Sequence, residues 1–433
     1  MIKLVSQLRW TCAVLSLGLL AAAARADAQD TLEFSLVVSR HGIRSSLYKD
    51  EVMKTLASRP WPKWEVDPGI LTPRGGELVA AMGAYYRELY RSEGLLSGDA
   101  AKDARLVYIR ADNDQRTIET GRRIGSALLG TPAVTVDAFP EGQFDPLFVP
   151  LRAKKITADL SLGTAAVLGR IGGDPKILER AYARQFADLK RILYGEGGEP
   201  ADSPFHTPAT VMAGEYDNLI KIEGPVRFAL ITTESLILEY CDGKPAPEVG
   251  WGQVDSSTIT ELMALHELSF NLTARTFYPA QVQASNLASH ILQTLKQAAS
   301  GSPLSGSLGG PQDKIVLLVG HDTNVANLGG LLGLEWWLMG TQQDPVIPGG
   351  ALTFELWKHA ADGKVYVRIA YVAQSPDQMR NCDKLTLAHP PQRAPIFLPG
   401  YSTAGPGFDI PLEAFERAVH AAINPAFVVA DTR

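Results

Sequence analysis

The chain has 433 residues, 45% of them hydrophobic and 20% charged, an ordinary globular composition with enough apolar content for a core. Its length predicts two or three structural units. A formal net charge of −6 argues against nonspecific nucleic-acid binding, which leaves a basic footprint, so any anion site must be a local concentration of positive charge.

Lys3 and Arg9 precede an apolar run from Trp10 to Ala24, followed by two small-x-small cleavage sites, Ala24-Arg25-Ala26 and Ala26-Asp27-Ala28. This pattern predicts a secretory signal peptide over residues 1–28, because the run is short for a spanning helix, which needs ~20 apolar residues. The expected location is periplasmic or secreted, with no membrane contact after cleavage. Two cysteines remain, Cys241 and Cys382, and an oxidising compartment permits one structural disulfide between them.

Leu32 to Ser39 predicts a buried strand. A helix follows from Thr72, with a capping hydroxyl, Pro73 at its first position, and Leu78, Met82, Tyr85 and Leu89 at helical spacing. Arg105 to Arg110 predicts a second strand, then a polar turn and a helix to Leu129. Between about 155 and 275 the apolar positions recur at helical spacing, as in "VRFALITTESLILEY" and "ITELMALHELSFNL". Residues 299–311 form a Gly/Ser/Pro loop. Ile315 to Val319 is a fully apolar strand, with "GHDTN" and a helix through Leu332 behind it. "LTFELW" and "VYVRIAYV" flank Asp362-Gly363 as an antiparallel pair. Strands alternating with helices at both ends imply an α/β sandwich that a helical unit interrupts.

Ligands of open α/β sheets bind beyond the carboxyl ends of strands. "RHGIR" and "GHD" stand at such ends. Arg40 and Arg44 flank His41 and present fixed, permanently charged donors suited to a tetrahedral oxyanion. Gly42 is expected to let the backbone turn tightly toward a ligand. An imidazole nitrogen can attack phosphorus and hold the phosphoryl group covalently. Arg116 follows the turn in "YIRADNDQRT", while His321 and Asp322 supply a donor and a proton source. From these residues alone, a structural histidine and a solvated arginine pair stay open as alternatives.

"RHGIR" and "GHDTNVANLGG", with "WPKWEVDPGILTPRGGELVAAMGAYYR", "DNDQRTIETG", "FDPLF", "GWG" and "PGGALTFELW" between or after them, resemble the histidine acid phosphatase family in its bacterial periplasmic phytase and glucose-1-phosphatase branch. The pattern and the resemblance together imply a three-layer α/β sandwich domain over residues 29–154 and 276–433. A smaller, mainly α-helical domain is inserted at 155–275, with the active site in the cleft between the two. The resemblance implies hydrolysis of phosphomonoesters, inositol phosphates among them. His41 is the nucleophile, Asp322 the acid for the leaving alcohol, and Arg40, Arg44, Arg116 and His321 hold phosphate oxygens. It implies no cofactor and no metal. His206, His266, His290, His359, His389 and His420 are scattered and read as structural or exposed.

The sequence departs from that pattern beside the opening motif. Ser46 stands where the family usually has proline, and Leu47 and Tyr48 where phytases carry threonine and lysine. Tyr48 therefore removes one cationic substrate contact, with Lys49 the nearest replacement. Glycine at 42 and "HDTN" lean toward the phytase-like branch. Glu234 aligns with an acidic substrate-contacting residue, and Thr323 with a substrate-side position. Two alternatives remain, a sugar-phosphate phosphatase of glucose-1-phosphatase type and a noncatalytic periplasmic phosphate-binding protein. Oligomeric state leaves no mark in the sequence.

Overall fold

The structure, a computed structural model, describes residues 29–214 and 219–429; the signal peptide expected at 1–28 lies outside them. In chain order the main elements are β1 (Thr31–Arg40), α1 (Pro73–Ser92), β2 (Val107–Ala111), α2 (Gln115–Leu129), α3 (Leu160–Arg170), α4 (Ala183–Tyr194), β3 (Thr210–Ala213), β4 (Ile220–Glu223), α5 (Pro225–Cys241), α6 (Ser256–Thr273), α7 (Phe277–Ser300), β5 (Ile315–Gly320), α8 (Asp322–Leu332), β6 (Ala351–Lys358), β7 (Val365–Ala373), β8 (Gln392–Pro395), β9 (Ile410–Pro411) and α9 (Leu412–Ala422).

The large sheet runs β2-β5-β1-β6-β7-β8, with β9 beside β7. β1 and β2 both pair parallel to β5, while β6, β7 and β8 run antiparallel. Alternate residues of β1 face opposite layers, as the two-residue strand period requires. Leu36 and Val38 belong to the core that also holds Leu287 of α7, Val325 of α8 and Phe415 of α9. Val37 packs with α1 and α2 through Val79, Met82 and Ile124. Helices on both faces of the sheet make the three-layer α/β sandwich. The stretch from 155 to 275 supplies α3 to α6 and a small antiparallel ribbon of β3 and β4.

The predicted start of α1 is seen in detail. Thr72 caps it, its hydroxyl accepting from the Gly75 N–H at 2.8 Å, with Pro73 in the first turn. Gly42 has a different reason from the one expected. Its φ is not positive, and a Cβ there would meet the Val79 side chain at 2.8 Å, so it permits close packing against α1. Cys241 and Cys382 are both free thiols, Cys241 buried in α5.

The first turn of α1 bears on the segment that carries Arg44. A Cβ on Gly75 would lie 2.2 Å from the Ile43 carbonyl oxygen, and neither backbone can yield without moving the other. Gly75→Ala is expected to cost about 1–3 kcal/mol of stability by overpacking, read as a lowered urea midpoint. An unchanged midpoint would show that this contact is slack.

Candidate active site

Three parallel strands end together. Arg40 of β1 lies opposite Gly320 of β5, and Ala111 of β2 opposite Val319. The residues that follow each strand are tied across the gap, the His41 N–H to the Gly320 carbonyl and the Asp112 N–H to the Val319 carbonyl, both at 2.9 Å. The Gly349 N–H reaches the His41 carbonyl at 2.9 Å. His41, Asp112 and His321 are thereby fixed side by side, and the rings of His41 and His321 lie 5.6 Å apart, edge to face.

His41 is buried. Its Nδ1 lies 2.8 Å from the Gly42 carbonyl, which only accepts, so Nδ1 carries the proton and Nε2 keeps its lone pair. Burial, reinforced by Arg116, Arg40, His321 and Arg44, pushes the imidazole well below the ordinary histidine range. The ring is thus a neutral base among cations.

The arginines are held from behind. One oxygen of Glu234 on α5 accepts from the Nη2 of Arg40 and of Arg44, each at 2.8 Å. Arg40 also meets the Asp322 carboxylate at 3.1 Å and the Val346 carbonyl at 2.5 Å. Arg116 donates to Asp114 at 2.7 Å. The Nε–H groups of Arg40, Arg44 and Arg116 are buried and meet no acceptor among the described residues. Arg44 and Arg116 line the cavity over His41, with Arg40 behind them, so positive charge is concentrated at one place.

His321 is oriented by acids. Its Nε2 donates to Asp112 at 2.9 Å with Asp114 at 3.3 Å, and its Nδ1 lies 3.5 Å from Arg116. Asp112, Asp114 and His321 bring ligand-type atoms within 4.8 Å of one another, but Asp112 serves the His321 ring and Asp114 the Arg116 guanidinium. Asp322 opens α8, where one of its carboxylate oxygens accepts from the Thr323 N–H at 2.8 Å. Burial pulls the Asp322 carboxyl upward, but Arg40, Arg44 and His321 outweigh it and hold it below the usual carboxylate range. Glu234 is likewise held low, Arg44 and Arg40 outweighing its burial.

A cavity of about 760 Å³ opens over this cluster, lined by His41, Arg44, Arg116, His321, Asp322 and Thr323. A second cavity of about 360 Å³ shares Arg44, Asp322 and Thr323 and is walled by Tyr48 and Glu234. All nine residues singled out in the sequence therefore gather in one region. Arg40 lies beneath it and Tyr48 to its side.

The family landmarks tie the region together. Asp145 of "FDPLF" accepts from Arg110 of β2 at 2.7 Å, and the Phe148 carbonyl accepts from the Asn324 amide at 2.7 Å. At Ser46 hydrogen bonds do what proline's ring would do. Its Oγ accepts from the Tyr48 N–H, and its carbonyl from the Gly69 N–H, each at 3.1 Å. Lys49 is exposed and lines neither cavity, so it does not replace the missing cation. Asp112 and Asp114 were legible only as polar turn residues, because their roles need the distant His321.

The family profile described as histidine phosphatase superfamily (branch 2) matches residues 31–372. The phytase AppA of Escherichia coli is 32% identical over 416 residues, 93% of this chain and 94% of that protein. A glucose-1-phosphatase of Providencia rettgeri is 26% identical, over 86% of this chain and 87% of that one. The Hafnia alvei phytase in complex with myo-inositol hexakis sulphate superposes with a TM-score of 0.81 at 32% identity, covering 93% of this chain and 100% of that structure.

At about pH 6.5, the ordinary histidine midpoint, long-range ¹⁵N NMR is expected to show His41 neutral with its proton on Nδ1. A charged ring, or a proton on Nε2, would contradict the geometry.

Proposed function

The chain belongs to the histidine phosphatase superfamily (branch 2), a phosphoric monoester hydrolase of phytase-like type, and from that membership we propose how its own residues carry the reaction. The observation that bears most weight is the neutral His41, with Nε2 available, sharing one cavity with Arg44 and Arg116 and backed by Arg40.

In the first step Nε2 of His41 attacks phosphorus as the bond to the leaving oxygen breaks. Arg40, Arg44, Arg116 and His321 hold the other phosphoryl oxygens and match their charge in the transition state. Asp322 gives its proton to the leaving alcohol, a contribution of roughly 10²–10⁴-fold. In the second step water attacks phosphorus, Asp322 takes the water proton, and the N–P bond breaks to restore His41. Placement of the reaction in the cleft between the sandwich and the 155–275 insertion rests on the second cavity, which takes Arg44, Asp322 and Thr323 from the sandwich and Lys221, Arg227 and Glu234 from the insertion.

Asp322 is ionised in the free site because Arg40 and Arg44 hold it so. A bound phosphate places its own negative charge on the same guanidiniums. That removes the stabilisation of the carboxylate and raises its pKa when the acid is needed. The consequence is an acidic optimum, with turnover falling as pH rises through the pKa of Asp322 in the complex. Positive charge comes from arginine, so activity is expected to survive a chelator.

Inositol phosphates are the proposed substrates, on the likeness to the phytases and to the structure holding an inositol hexakis sulphate. A periplasmic or secreted location is proposed from the leader pattern at 1–28. No helix among the described residues is long and apolar enough to cross a membrane.

His41→Ala is expected to abolish turnover of para-nitrophenyl phosphate with the circular dichroism spectrum unchanged; wild-type turnover would remove His41 from the nucleophile's role. Asp322→Asn is expected to slow alkyl phosphates far more than aryl phosphates, whose leaving oxide needs less protonation. Equal losses on both would count against Asp322 as the acid.

A further inference from the structure

Tyr48 occupies the place of a lysine, and the cavity it walls shows where the cation has gone. Arg44, Tyr48, Lys221, Arg227, Asp322 and Thr323 line one continuous hollow beside the phosphoryl site. Arg227 stands on the first turn of α5 and lines this hollow together with Tyr48. Its Nη1 alone takes both oxygens of Glu223, at 2.6 and 2.8 Å, leaving the rest of a five-donor guanidinium. Lys221 on β4 pairs with the same Glu223. Two cations thus share one carboxylate, and this wall keeps an excess positive charge within a cavity that also touches Asp322, on the leaving-group side.

We propose that Arg227, with Lys221, forms an anion subsite that receives a second phosphate group of a polyphosphorylated substrate while the first is held over His41. This rests on the phosphatase reading and names the substrate feature it selects, a leaving group that itself carries phosphate. Glu223 holds the guanidinium, so the cation reaches the hollow from α5 instead of from the loop after Arg44. Glu223 competes with the incoming group for both cations. The site therefore favours ligands whose charge outweighs one carboxylate, and an ester with a single phosphate gains nothing from it.

The test compares calorimetric binding of two probes, myo-inositol hexakis sulphate and inorganic phosphate, so that it reads the subsite without turnover. Arg227→Ala is expected to weaken the hexakis sulphate about tenfold relative to phosphate, the size of one charge-assisted contact. Glu223→Gln is expected to shift the ratio the opposite way, a sign that no folding defect imitates. Both effects should shrink at high salt. Equal changes for the two probes, or a Glu223→Gln ratio that falls with that of Arg227→Ala, would overturn the subsite. Turnover of para-nitrophenyl phosphate measured in parallel tests the hydrolase reading separately, since its absence would leave the binding difference standing.

Discussion

The parallel pairing of β1 and β2 with β5 is the constraint from which the site follows. In parallel strands the carboxyl ends lie on one edge, and this register stops all three at nearly the same level. His41, Asp112 and His321 are the first residues beyond that edge, bonded across it through their backbones or side chains. Because β5 is fully buried, a slip of one residue would turn its side chains to the opposite layer. The packing of the core thereby fixes the spacing of His41, Asp112 and His321.

Electrostatics turns that placement into chemistry. Burying arginines is costly unless carboxylates face them, and Glu234 and Asp322 supply this for Arg40 and Arg44. The two acids differ in consequence. Glu234 bridges both guanidiniums, whereas Asp322 lines the cavity and meets Arg40 beneath it, where in the proposed reaction an arriving phosphate shares its partner. Burial keeps His41 uncharged and the same cations reinforce it, so in the proposed reaction one environment prepares both the attacking imidazole and the donors for the phosphoryl group.

Much of this was readable from local chemistry. Thr72 and Pro73 announced α1, and the two histidine motifs after apolar runs announced the strand ends, because capping and strand burial are encoded within a few residues. What local chemistry could not carry was partnership across the chain. Asp112 and Asp114 looked like turn residues until His321 lay beside them. Gly42 suggested a turn, while its real neighbour is Val79 on α1. The cation lost at Tyr48 was sought at Lys49, the nearest in sequence, and Arg227 stands instead on a helix some 180 positions away. Cys241 and Cys382, which an oxidising compartment would allow to pair, are free.

The central claim is that phosphate passes through a covalent bond to one imidazole nitrogen. Rapid mixing with a ³²P-labelled phosphomonoester, an alkaline quench and peptide mapping test it most directly. The account predicts an acid-labile, alkali-stable label on the peptide containing His41, formed before product leaves and absent in His41→Ala. Label on another residue, or burst-free turnover with no labelled protein at any time, would contradict it.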